Sequence, residues 1–106
     1  MAGKIGFIHS VYFWLKEGGT PEDATQLAQG CKTYLTSIPT VLRLEVGLPA
    51  GTDRDVVDNS YAVFLLVEFQ DAAGHDIYQD HPEHLRFIEA CHTLWSKVVV
   101  YDATVA

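Results

Sequence analysis

One short segment of this chain concentrates the side chains that could do chemistry: Tyr78-Gln79-Asp80-His81-Pro82-Glu83-His84. A histidine titrates near neutrality and can take a proton from a carbon acid beside a carbonyl. A tyrosine hydroxyl can donate a hydrogen bond to the oxyanion that develops. Those two groups suffice for enolisation, aldol or decarboxylation steps. His81 and His84 lie three apart at a helix start, on neighbouring positions where peptide N–H groups favour developing negative charge. A plainer reading stands beside this one: Asp80 and His81 cap the helix that Pro82 begins, Tyr78 packs in the core and His84 is a satisfied, half-buried histidine. For His81 the capping role fits best, because a residue just before proline usually sets the turn.

His9 shares a strand face with Phe7, Val11 and Phe13, and Glu68 interrupts an otherwise apolar strand, where full burial would be costly without a partner. The expected site therefore has His84, Tyr78 and His9 as its acid–base groups, with His81, Val11, Phe13 and Glu68 around a small apolar carbonyl compound. His81 and His84, with His75 or His9, could offer nitrogen ligands to zinc, nickel or copper. No carboxylate or thiolate stands at a clear ligand spacing, so no metal and no cofactor is expected. His75 and His92 are expected to face solvent.

The elements that must position these groups follow from periodicity. From Ile5 to Lys16 apolar residues occupy both alternating sets, a strand with two apolar faces. Thr20-Pro21-Glu22-Asp23 starts a helix with Ala24, Leu27, Ala28, Cys31, Tyr34, Leu35 and Ile38 at helical spacing, and Pro39 stops it. Val41 to Gly47 alternates as a second strand, Leu48 to Asp58 reads as a long loop, and Tyr61 to Phe69 reads as a central strand. Asp71 caps a short helix through Tyr78. A further helix from His81 carries Leu85, Ile88, Cys91, Leu94 and Trp95, and Val98 to Asp102 is the last strand.

This order, β-α-β-β-α-β with the second helical region split, predicts an α+β, ferredoxin-like antiparallel four-stranded sheet with helices on one face, in a single domain over 1–106. Two main helices cover one sheet face only. The other face, with Tyr12, Trp14, Phe64 and Leu66, would be a large apolar patch in water, and pairing with a second copy is the simplest remedy. A homodimer is expected.

The chain has 106 residues, 48% hydrophobic and 20% charged, an ordinary globular mix. Its formal net charge of -7 repels a phosphate backbone, so nucleic acid is an unsuitable partner. No run approaches the length of a membrane span, and the N-terminal stretch lacks the pattern of a secretory signal. Cys31 and Cys91 sit in no ligand motif and read as buried apolar residues in a reducing compartment, which makes the cytoplasm the expected location.

Several motifs together carry a family likeness: His9-Ser-Val-Tyr-Phe-Trp-Leu-Lys16, Ile38-Pro39, Val46-Gly47, Phe69-Gln-Asp71, Tyr78-Gln-Asp-His81-Pro-Glu-His84, and Trp95 before Val100-Tyr-Asp102. The chain resembles the stress-responsive dimeric A/B barrel (Dabb) family over nearly its whole length. The resemblance implies a homodimer whose sheets join into a dimeric α/β barrel, with a pocket between sheet and helices in each subunit. The family's best understood enzyme, the plant olivetolic acid cyclase, closes a ring by aldol condensation without metal or cofactor. By that resemblance Tyr78 and His84 are the acid–base pair and His9 a pocket residue. The family also holds stress-induced proteins without established catalysis, so the alternative is a non-catalytic structural or binding protein. The Leu48–Asp58 loop and the small residues Ala24, Ala28 and Cys31 depart from the cyclase pattern, so the substrate does not carry over.

Overall fold

The computed structural model describes residues 3–106; Met1 and Ala2, which begin the N-terminal stretch considered above, lie outside them. β1 (Phe7–Leu15) buries Phe7, His9, Val11 and Phe13 and leaves Ile8, Ser10, Tyr12 and Trp14 half-buried on its other face. It pairs antiparallel with β3 (Val63–Phe69) on one side and β4 (Trp95–Thr104) on the other. β2 (Arg43–Gly47) pairs with β3, giving the strand order β2-β3-β1-β4. This is the ferredoxin-like antiparallel sheet that the element order predicts.

Three helices lie on one face, each started by local chemistry. α1 (Pro21–Leu35) has a reciprocal capping box between Thr20 and Asp23, with Pro21 at its first position. Asp71 caps α2 (Ala72–Asp80) by accepting from the Gly74 N–H at 2.8 Å. His81 caps α3 (Pro82–Cys91). The helix expected to run to Trp95 ends at Cys91; a single 3-10 turn, His92–Leu94, follows and β4 begins at Trp95 rather than Val98. The reason is the length of β1: Leu15 pairs with Trp95, and the Lys16 N–H donates to the Leu94 carbonyl. The strand ladder thus captures backbone that apolar spacing alone assigns to the helix.

Leu27, Cys31 and Leu35 of α1, Tyr78 of α2, and Phe87 and Cys91 of α3 are buried against Val11, Phe13, Val63, Leu65, Val67 and Phe69. Full burial of a residue such as Leu27 stabilises by roughly 1.5–3 kcal/mol. The helical layer is narrower than the sheet. α1 packs on β2 and β3, α2 on β1 and β3, and α3 chiefly on α1 and α2. On β4 the helix-side residues Val98 and Val100 therefore stay 38% and 45% exposed.

The opposite sheet face has no helix. Tyr12 stands at its centre, with rings of Tyr61 and Phe64 both 5.1 Å away and Tyr101 at 6.1 Å. Lys97 lies over the Trp14 ring at 4.5 Å, and the Trp14 indole donates to Ser60 Oγ at 3.1 Å. Among the described residues no helix is long and apolar enough to cross a membrane.

The α1–α3 contact is close at Gly30, where an added Cβ would sit 2.5 Å from Cys91 Sγ. Gly30→Ala should destabilise the chain by about 1–3 kcal/mol in chemical denaturation, because overpacking a filled contact forces strain. Adding Cys91→Ala should recover part of that loss; a double variant no better than the sum of the singles would refute this contact as the cause.

Candidate functional site

The break between α2 and α3 brings Tyr78 and His84 together. His81 takes an extended conformation, φ -65° and ψ 140°, and redirects the chain between the last turn of α2 and the first turn of α3. Tyr78 and His84 consequently face each other, their rings edge to face with centroids 4.9 Å apart. His9 on β1 lies 5.8 Å from the Tyr78 ring.

All three border one cavity of about 170 Å³. β1 supplies Val11 and Phe13, α3 supplies Phe87 and Ile88, and β4 supplies Trp95, Val98 and Val100. The cavity opens where the helices fail to cover β4. Its volume is of the order that holds a benzene-sized molecule, ~150 Å³. The wall is mainly apolar with a few convergent polar groups, the composition of a small-molecule site.

Burial governs the electrostatics. It lowers the pKa of His84 below the ordinary 6.5, helped by the nearby imidazoles of His9 and His75 and opposed by Asp80. His84 Nδ1 is buried without a hydrogen-bond partner among the described residues. A buried polar atom in that state is uncommon and marks a place where a ligand could complete the bonding. Burial likewise raises the Tyr78 hydroxyl above its ordinary value, with Cys31 adding a smaller push, so the phenol stays a donor. Burial lowers His9 as well, although Asp102 pulls it the other way.

Asp102 is the neighbour of His9 that the sequence did not disclose. It pairs directly with His9 across β1 and β4, and its Oδ1 accepts from His9 Nδ1 at 2.6 Å. The bond fixes the neutral imidazole with its proton on Nδ1 and its lone pair on Nε2. The only sequence signal was a carboxylate closing an apolar strand; its partner lies 93 residues away.

Two expected pocket residues lie elsewhere. His81 does not border the cavity: its Nδ1 accepts from the Glu83 N–H at 3.1 Å, because a free helix N-terminus needs an acceptor there. Glu68 points to the opposite face of the sheet from His9, as strand alternation demands, and takes a 3.3 Å hydrogen bond from Arg43 near the sheet end. His75, expected at the surface, instead stacks on Phe7 at 4.7 Å and approaches the His9 ring at 4.8 Å. His92 is exposed as expected.

The lowered His84 pKa fixes the sign of a pH effect. The unfolded chain binds more protons than the folded one once pH falls below about 6.5, so this contribution to stability is intact above that pH and is lost as pH falls through the folded value. The midpoint of thermal unfolding should therefore drop more steeply between pH 7 and 5 for the wild type than for His84→Gln. Parallel curves would refute it.

The family model for the Stress Responsive A/B Barrel Domain matches residues 7–105. No curated protein sequence matches significantly. Among solved structures, a Dabb family protein with a ferredoxin-like fold from Mesorhizobium loti superposes with a TM-score of 0.77 at 23% identity, over 97% of this chain and 99% of that one. A dimeric ferredoxin-like protein of unknown function from Thermobifida fusca gives 0.76 at 19% identity, covering 95% and 92%. The hydroxynitrile lyase of Passiflora edulis gives 0.76 at 16% identity, covering 94% and 93%. At these identities the likeness shows the fold, and the family match supplies the rest: this chain belongs to the stress-responsive A/B barrel family.

Proposed function

We propose that this protein binds a small, largely apolar carbonyl compound in the cavity beside His84 and performs cofactor-independent acid–base chemistry on it, of the cyclase, aldol or decarboxylase type. The observation that carries this reading is the unpartnered, buried Nδ1 of His84 next to the Tyr78 ring in an apolar hollow. His84, neutral near pH 7, takes the proton from carbon adjacent to the carbonyl; the electron pair moves onto the carbonyl oxygen, and the Tyr78 hydroxyl donates to that oxygen. In an aldol closure the enolate carbon then bonds to a second carbonyl carbon, whose π pair becomes an alkoxide that takes the proton from His84. In a β-keto acid His84 instead takes the carboxyl proton, loss of CO2 yields the enolate, and the proton returns to its carbon. His9, held by Asp102, adds a second oriented imidazole at the cavity wall. The similar Passiflora protein, a hydroxynitrile lyase, supports carbon–carbon bond chemistry on such a scaffold.

The reading includes a homodimer in which a second copy covers the open sheet face around Tyr12, Phe64 and Leu66. Dimeric proteins of the same fold support it, and so does the physical cost of leaving an aromatic sheet face in water. Two buried free thiols fit a reducing compartment such as the cytoplasm.

Small aldehydes, cyanohydrins and β-keto acids, screened by ligand-observed NMR and then for turnover, should yield at least one ligand. His84→Ala should then lower turnover by about 10²–10⁴-fold, and Tyr78→Phe by about 10²-fold or more, with the dimer still folded. Variants that turn over as fast as wild type would overturn the assignment; a screen with no ligand would favour a non-catalytic stress protein, which the modest cavity volume also suits. In sedimentation at micromolar concentration the wild type should run as a dimer and Leu66→Arg as a monomer. A monomeric wild type would sink the dimer.

A further inference from the structure

We propose that His9, His75 and Asp102 form a binding site for one divalent transition-metal ion of the zinc class. One donor atom from each lies within 4.8 Å of the other two, and the three come from separate elements, β1, α2 and β4. Their placement is fixed by the fold. His9 and Asp102 are opposed in the β1–β4 ladder. His75 is held by its stack on Phe7 and by the Gln79 amide, 3.1 Å from its Nε2.

Two imidazoles and one carboxylate form a borderline donor set that suits Zn²⁺, Ni²⁺ or Cu²⁺, whereas Ca²⁺ and Mg²⁺ favour sites rich in oxygen. Zinc bonds of roughly 2.0–2.2 Å place tetrahedral donors about 3.3 Å apart. Asp102 must therefore part slightly from His9, now at 2.6 Å, and His75 must close in. Asp102 lies on the edge strand with its side chain 37% exposed, so its own torsions allow that movement while the backbone stays in place. The His9 Nδ1 that now donates to Asp102 gives up its proton when the ion takes its place, so uptake is coupled to proton release. Three protein ligands leave a fourth position for water or a small molecule, next to the cavity that His9 borders.

The sequence offered His75 or His9 only as companions to His81 and His84, with no metal expected; the fold instead gathers His75 and His9 beside Asp102. The site shares His9 with the cavity wall but uses neither Tyr78 nor His84, and it does not rest on their proposed role.

Calorimetric titration of untagged protein with Zn²⁺ should show one ion bound per chain, and Co²⁺ should give the visible absorption of a four-coordinate ion. His75→Ala, His75→Gln and Asp102→Ala should each weaken binding by at least about tenfold, with folding checked by circular dichroism, while the exposed His92→Ala should not. His84→Ala should keep zinc binding even where it loses turnover, which separates this proposal from the proposed function. No saturable uptake by the wild type, or folded His75 and Asp102 variants that bind as the wild type does, would overturn the site.

Discussion

The structure depends on a mismatch of widths: four strands face three helices that cover only three of them. α1 and α2 shelter β2, β3 and β1, while Val98 and Val100 of β4 stay partly open on the helix side. A complete helical layer would have filled the space beside His9 with side chains. The incomplete one leaves a cleft whose floor is sheet and whose wall is α3. Close packing elsewhere makes the gap informative, since ordinary protein interiors hold few voids larger than a water molecule.

A second constraint acts at the joint between α2 and α3. Pro82 cannot donate a backbone hydrogen bond, so the helical run divides, and His81 turns the chain and caps the new N-terminus. The break lets Tyr78 and His84 approach edge to face. In an unbroken helix residues six apart lie on largely different faces. His81, for which the sequence already favours a capping role, is thus the residue that aims the other two.

The two sheet faces divide the labour differently. The helix face holds the cluster of His9, His75, Tyr78, His84 and Asp102, and burial there lowers the pKa of His9 and of His84. The other face is aromatic, built around Tyr12, with a single ammonium over Trp14 and the Arg43–Glu68 pair near its end. Its chemistry is that of a surface to be covered, and it contributes nothing to the cavity. The cysteines take no part in either: burial pushes the Cys31 thiol up to about 12 and the Cys91 thiol upward too, which keeps both protonated and inert.

The sequence by itself determined the order of elements, the two-faced β1, the caps at Thr20, Asp71 and the Asp80–Pro82 joint, and the family. Each depends on neighbours within a few residues, where periodicity and turn chemistry act directly. Tertiary structure alone decided the strand register that sets Asp102 against His9, the inward turn of His75 and the extension of β4 back to Trp95. Those outcomes rest on which strand meets which, and at what offset. A shift of one residue along β4 would put Asp102 on the other face, and no local pattern in the chain records that choice.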